Sequence, residues 1–273
     1  MLFGLCVNMT PEVSRLAGAH YAEKLKSYGY DYIEMPINIF NMLPEEEFRE
    51  AKKMIRDSSL PCRTCNDFMP TDFLIAGENL TPEHTLSEYL KRAFFRIGAE
   101  GLGARYVVFG SPWSRSCPEG FPFDTAWKQV ADFLHMAGEI AATQGLTIAV
   151  ENNNHTETNM MNHLVKTSEM VDEIGLDSVR MHCDYYHLRF EGEDMHAPEL
   201  YAGKIVHTHI AKLKDRAYFT DTEDESQYLA EYAKALHAIS YNGGMSLEAK
   251  PDPEKDWDEQ AKATIRTLRS VFQ

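Results

Sequence analysis

Apolar and polar positions alternate along this chain in two regular ways, and the two ways take turns. Short runs rich in apolar and β-branched residues recur at "LFGLCVN", "YDYIEMPI", "PCRTCNDF", "RYVVFGS", "LTIAVEN", "VRMHCDY", "KIVHTHI" and "GMSLEAK". Each is too short for a helix and bounded by turn or polar residues, so eight buried strands are predicted. Between them lie segments with helical spacing, namely "PEVSRLAGAHYAEKLKSYG", "PEEEFREAKKMIRDS", "HTLSEYLKRAFFRIGAEGLG", "DTAWKQVADFLHMAGEIAATQG" and "DESQYLAEYAKALHAISYNG". Several start at Pro or Asp and stop at Gly, as capped helices do. A last amphipathic segment, "DPEKDWDEQAKATIRTLRSVF", ends the series.

Strict alternation of short strands with helices implies parallel pairing through right-handed crossovers, and eight such units are the number that closes a (β/α)8 TIM barrel. A doubly wound open sheet is the rival. Its nucleotide-binding form needs a glycine-rich phosphate turn after the first strand, and "LCVNMTPEV" has none. No Pro/Gly/Ser-rich linker interrupts the rhythm, so one domain over residues 1–273 is expected.

Composition narrows the partners. The chain carries 27 Lys and Arg against 42 Asp and Glu, a formal charge of -15, which repels nucleic acid and anionic membranes and favours small substrates. The start, "MLFGLCVNMTPEV", lacks the basic residues of a signal peptide, and no run approaches the roughly 18 apolar residues of a membrane span, so a cytoplasmic setting is expected. The five cysteines are odd in number and sit mostly in apolar runs, which reads as reduced, buried thiols. "CRTC" is the one close pair. On an extended strand positions three apart face opposite ways, and no second pair completes a zinc site, so no metal or redox role is assigned to it.

A barrel makes a sharp demand, because its chemistry sits at the C-terminal ends of its strands. There, strand five ends at Glu151, strand six at Asp184, strand seven at His209 and strand eight at Glu248. Three carboxylates and an imidazole on consecutive strands suit one divalent metal ion such as Mn, Co, Mg or Zn. Without a cation or a proton between them, three buried carboxylates would repel. Strand alternation puts His182 and His207 on the faces of Asp184 and His209 but deeper in the barrel. Glu34 in "YIEMP" and Cys65 in "RTCND" also reach strand ends, as pocket lining or as buried structural groups.

The strand-end order Glu, Asp, His, Glu resembles the xylose-isomerase-like barrels of the sugar isomerase and epimerase superfamily, in particular the ketose 3-epimerases. The family's E-x-x-N-x-x-E-x-N pattern is matched by Glu151, Asn154, Glu157 and Asn159 in "ENNNHTETN", and its Asp-x-x-His by "DYYH", which puts His187 three residues after Asp184. "VVFGSPWSRSCPEGF" is similar to the fourth-strand loop of that family and places Trp113 and Arg115 near the mouth. The substrate-gripping Arg of the epimerases follows the ligand His by six residues, whereas Arg216 here follows His209 by seven.

The resemblance implies a metal-dependent sugar isomerase or epimerase working through an enediolate, with 3-epimerisation favoured. Glu151 and Glu248 would be both metal ligands and the catalytic acid and base, while Glu157, His187, Arg216 and Trp113 would contact substrate. A homo-oligomer, dimer or tetramer, is expected. A lyase of the inosose dehydratase type shares the ligand set. An endonuclease IV-like hydrolase needs further histidines, and "AKLKDRAY" after His209 holds no Asp-x-His. A non-catalytic sugar-binding barrel is expected to have lost Glu151 or Glu248, and both are present. Lys204, Lys212, Lys214 and Arg216 cluster near strand seven, but the loop "EAKPDPEKD" lacks the glycines of a barrel phosphate site, so an unphosphorylated substrate is favoured.

Overall fold

In a computed structural model of the protein, which describes residues 1–222 and 224–273, the eight predicted strands close on themselves. They are β1 (Leu2–Cys6), β2 (Tyr32–Pro36), β3 (Cys62–Asn66), β4 (Tyr106–Phe109), β5 (Thr147–Val150), β6 (Val179–Asp184), β7 (Ile205–Ile210) and β8 (Gly244–Leu247). Each pairs in parallel with its neighbours in chain order, and β1 closes the barrel against β8 with Leu2 opposite Gly244 and Leu5 opposite Leu247. The open doubly wound sheet is thereby excluded.

The connecting helices are α1 (Ala22–Tyr28), α2 (Ile37–Met42), α3 (Glu45–Ser58), α4 (Glu83–Ile97), α5 (Pro112–Arg115), α6 (Phe123–Thr143), α7 (Leu164–Ile174), α8 (Tyr185–Glu191), α9 (Ser226–Ala238) and α10 (Trp257–Phe272). Two of them, α7 and α8, follow β5 and β6, outside the segments whose spacing predicts helix. Another predicted helix is broken. The segment from Pro11 to Gly29 forms a 3-10 stretch with Leu16, Ala17 and Gly18 in left-handed conformations, and regular helix starts only at Ala22. Gly18 lies against Val7, where an added Cβ would come within 2.5 Å of the Val7 side chain, so packing on the barrel rim outweighs helical periodicity there. No described helix is long and apolar enough to cross a membrane.

Strand alternation divides the core in two. Outward-facing Leu5, Ile33, Met35, Val107, Phe109, Ile148, Val150, Met181 and Leu247 are buried under the helices. The barrel interior is polar instead. Tyr32 bonds Ser246 at 2.7 Å, Ser246 donates to Glu34 at 2.5 Å, and the Tyr106 ring stacks on His207 with centroids 6.5 Å apart. Tyr32, Ser246 and Glu34 satisfy one another, whereas both nitrogens of His182 and Nδ1 of His207 have no hydrogen-bond partner among the described residues.

The "CRTC" pair departs from expectation. The Cys62 and Cys65 sulfurs lie 3.7 Å apart rather than on opposite faces. Between Ile33 and Glu34 of β2 the register with β3 shifts, so that Ile33 faces Cys62 and Glu34 faces Thr64. The extra residue in β3 breaks the two-residue period that the sequence reading assumed. All five cysteines are free and buried.

Space inside the barrel is rationed by glycine. A Cβ built on Gly4 would lie 2.2 Å from the Tyr32 ring, which fills the position a β1 side chain would take. Gly4→Ala is therefore expected to destabilise the fold by about 1–3 kcal/mol and lower the thermal midpoint by about 2–10 °C. Circular dichroism melting checks this, and an unchanged midpoint would refute the packing argument.

Candidate active site

The C-terminal ends of β5 to β8 deliver Glu151, Asp184, His209 and Glu248 to one point, where one donor atom from each lies within 4.8 Å of the others. All four are buried. His209 Nδ1 stands 3.4 Å from both Glu151 Oε1 and Glu248 Oε2. Its other nitrogen, Nε2, meets Glu34 Oε1 at 2.9 Å, and the second oxygen of Glu34 meets His207 Nε2 at 2.8 Å. Glu34 thus lies beneath the site and aims His209 Nδ1 upward, as a carboxylate behind a ligating imidazole does. Burial works against its charge, but the two imidazoles hold its pKa down to about 2. His182 and His207 are fully buried below, where alternation predicted them. Cys65 faces the hydrophobic core instead of the pocket.

Each carboxylate is held differently. Glu248 accepts from Asn66 Nδ2 at 2.9 Å and Asn8 Nδ2 at 3.2 Å, and its other oxygen takes the Arg216 guanidinium. Glu151 Oε2 accepts from Asn153 Nδ2 at 3.2 Å. Gly110 makes the room, because a Cβ there would sit 2.3 Å from that oxygen. Asp184 caps α8, its Oδ1 accepting the His187 backbone N–H at 3.1 Å. The Asp-x-x-His spacing follows from this cap: the third helical residue offers the N–H that an N-cap carboxylate takes.

Among the described residues, Glu151 Oε1 and His209 Nδ1 in the cluster have no hydrogen-bond partner. Unpartnered buried donors and acceptors are rare, and these two face each other across the point where the four side chains converge. Three oxygen donors and one nitrogen fit a divalent cation such as Mn, Co, Mg or Zn. Proton affinities respond to the crowding. Burial first, then the charge of Glu151, pushes Asp184 up to about 8. Burial opposes charge on His209, but Cys6, Glu34 and Glu248 outweigh it and raise its pKa.

The remaining predicted residues gather around this point. Arg216 reaches Glu248 and lies 3.5 Å from Glu157 Oε1 and 4.0 Å from Asp184 Oδ2. Its spacing of seven from His209 is absorbed by left-handed backbone at Asp215 and Arg216, which curls the longer loop back over the mouth. The Tyr186 ring supports the guanidinium at 4.9 Å. Asn154 donates to Glu157 Oε1 at 3.1 Å, and Asn159 brackets the backbone of Cys117 with two 2.9 Å bonds that tie in the β4 loop. His187 is fully buried behind Asn153. The Asn154 backbone N–H donates to its Nδ1 at 3.1 Å, and the Asn153 amide nitrogen lies 3.0 Å from its Nε2, which stands 3.9 Å from Glu157 and 3.8 Å from Asp184. Trp113 is 66% exposed and stands at the rim.

Arg115, expected near the mouth, is fully buried under it. It donates to Asn153 Oδ1 at 2.6 Å and to the Glu151 carbonyl at 2.9 Å, and burial lowers its pKa to about 10 despite Glu151 and Glu157. Lys204 is engaged with Asp172 at 2.6 Å and Lys212 with Asp221 at 2.6 Å, and neither lines the cavity. The cavity above the four side chains is partly open to solvent and lined largely by polar groups, which suits a small polar ligand. Asn8, Asn66, Asp67 and Gly110 also line it. None was singled out from sequence, although all four follow apolar runs at strand ends, in "LCVN", "TCND" and "VVFG".

The sequence pattern of the family described as xylose isomerase-like TIM barrel matches residues 22–271, nearly the whole chain. The chain belongs to that family. Among curated members of known activity, this xylose isomerase-like barrel is 28% identical over 232 residues to L-ribulose 3-epimerase of Methylomonas sp. (strain DH-1), covering 81% of this chain and 74% of that one. It is 22% identical to D-psicose 3-epimerase of Agrobacterium fabrum (strain C58 / ATCC 33970), over 84% and 78% of the two chains. An inosose dehydratase of Bacillus anthracis is 22% identical over 63% and 65%. In fold, the barrel is similar to D-psicose 3-epimerase from Clostridium cellulolyticum H10, solved with D-tagatose, at a TM-score of 0.85, 15% identity and full coverage of both chains.

Because Asp184 and His209 both hold protons more tightly in this barrel than as free side chains, a cation must displace protons to bind. Metal affinity is expected to weaken as pH falls from about 8 to 6, with net proton release on binding. Calorimetric titration of Mn2+ in buffers of different ionisation enthalpy checks this, and pH-independent affinity would contradict it. Gly110→Ala is expected to weaken metal binding by about tenfold or more while the protein stays folded, because Glu151 must move. Equal affinity in wild type and variant would contradict the role given to Gly110.

Proposed function

We propose that the protein is a divalent-metal-dependent ketose epimerase, a single-domain barrel over residues 1–273 that moves a proton next to the carbonyl of a sugar. The observation that carries this reading is the placement of Glu151 and Glu248. They rise from strands separated by two others, flank the cavity from two sides, and share the point on which Asp184 and His209 converge. Epimerisation needs one group to take a proton from one face of a carbon and another to return it to the opposite face.

Glu151, Asp184, His209 and Glu248 would hold a divalent ion, which would supply Lewis acidity at the reacting end of the sugar. Burial opposes charge on Glu248, but Arg216 and His209 outweigh it and keep the carboxylate ionised, while Asn8 and Asn66 fix its other oxygen. Glu151, steadied by Asn153, faces the substrate from the other side. Arg216 and Glu157, paired at 3.5 Å, hold hydroxyl groups beside the reacting carbons, and the guanidinium steadies negative charge developing there. His187, engaged by Asn153 and Asn154 and lying 3.9 Å from Glu157 and 3.8 Å from Asp184, sets the substrate-binding position of these carboxylates from behind. Trp113 covers the mouth and limits water.

Similarity to two kinds of ketose 3-epimerase supports epimerisation at C3 over the dehydratase alternative. Among Mn, Co, Mg and Zn we favour Mn, for its oxygen-rich donor set. Five reduced cysteines agree with a cytoplasmic setting, and exposed apolar side chains such as Leu200 and Met42 agree with a homo-oligomer, dimer or tetramer. The charge of -15 supports neither nucleic acid nor an anionic membrane as partner.

Incubating the Mn2+-loaded protein with a panel of ketoses in D2O tests the reading. Deuterium is expected at C3 by NMR; label at C1 or C2 would mean an isomerase, and loss of water a lyase. Glu248→Gln is expected to reduce exchange by at least about a thousandfold. Full activity in that variant would remove Glu248 from the acid–base pair.

A further inference from the structure

One carboxylate in the cavity has no part in the scheme above. Asp67 follows β3 directly and lines the cavity, but it belongs to neither the four-residue cluster nor the Arg216–Glu157 pair. In the closed barrel β3 lies diametrically opposite β7, whose following loop carries Arg216. Its backbone adopts a left-handed conformation, φ 50°, which Asp tolerates better than most residues. Two anchors hold it there. The Asn38 N–H donates to the Asp67 carbonyl at 3.1 Å, and the next residue, Phe68, is buried edge-on against Phe94 and Phe109. Among the described residues its side chain takes one hydrogen bond, from Asn8 Nδ2 to Oδ1 at 3.4 Å, leaving the other oxygen to the cavity.

Charge completes the case. Asp67, Glu151, Glu157 and Glu248 line the cavity with Asp184 at its floor, and among the described residues Arg216 is the one cation lining it. A divalent ion would still leave the formal balance negative. Burial first, then Glu248, pushes Asp67 up to about 7, so above that pH a phosphate or carboxylate placed beside it would meet Asp67, Glu248 and Glu151 with no basic partner, while a hydroxyl would find the carboxylate oxygen that Asn8 leaves free.

We propose that Asp67 is a specificity-determining residue: it accepts a hydrogen bond from a hydroxyl on the part of an uncharged sugar away from the reacting carbons, and it bars sugars bearing an anionic group there. This rests on the proton-transfer function proposed above. The test measures deuterium exchange from D2O for wild type, Asp67→Asn and Asp67→Ala, each loaded with Mn2+, against free ketoses and their terminal phosphates. Wild type is expected to turn over free ketoses in preference to their phosphates. Asp67→Ala is expected to lose about 10- to 100-fold in kcat/KM on the best of them, mainly through KM. Asp67→Asn, which keeps the left-handed backbone and removes the charge, is expected to raise the ratio of phosphorylated to free turnover by about tenfold or more, so the test stands even where the alanine variant misfolds. Preference of wild type for a sugar phosphate, or a wild-type rate and ratio in the asparagine variant within about twofold, would overturn the proposal alone. Exchange by wild type with no sugar would overturn the epimerase reading and the proposal with it.

Discussion

Three carboxylates and an imidazole crowded within 4.8 Å, all out of contact with bulk water, set the terms for everything around them. Like charges at that range in a poorly solvated site repel by several kcal/mol unless protons or a cation intervene. The displaced proton affinities of Asp184 and His209 are one response. The reach of Arg216 into Glu248 is another, a guanidinium lying beside ligands that would otherwise face only one another. Chemistry of the kind proposed here needs that tension, since a site already satisfied by its own side chains would bind neither a metal nor a sugar oxygen.

Support for the cluster runs downward and outward from it. Glu34 bridges His207 and His209, so one buried carboxylate on β2 fixes the ring that β7 presents. Arg115 lies under the β5 loop and bonds both Asn153 and the Glu151 carbonyl, making a buried charge the brace for that loop. Gly110 keeps the opposite side empty. These residues stand behind the four-residue cluster, yet they decide where Glu151 and His209 point. The asparagines of "ENNNHTETN" divide the work: Asn152 accepts the Asp184 N–H, Asn153 steadies Glu151, and Asn154 holds both His187 and Glu157.

Family membership and site geometry bear on different questions. The match over residues 22–271 speaks for the fold and the superfamily's general chemistry, which covers epimerases and dehydratases alike. We assign substrate choice to residues at the strand ends on the far side of the mouth, where Asn8 follows β1, Asn66 ends β3 and Asp67 follows it. Such positions vary without disturbing the barrel, because they cap strands and do not fill the core.

Much of this was legible in the chain itself. Eight apolar runs predicted eight strands, and reading their last polar residues found all four members of the cluster, because strand order and the barrel rule together dictate which side chains meet. The Asp-x-x-His spacing was readable for the same local reason, a cap and its helix. What escaped was whatever depends on contacts distant in sequence. Nothing near Glu34 announces His207 and His209, some 170 residues on; nothing in "CRTC" reveals the register shift that brings its sulfurs together; and Arg115 reads as a surface residue until the β5 loop folds over it. Asp67 is the clearest case. As a sequence it is one polar residue after a strand, and only barrel closure sets it across the cavity from Arg216. Local periodicity determines which residues lie at strand ends, whereas the charge they confront there is decided by the other strands that close around them.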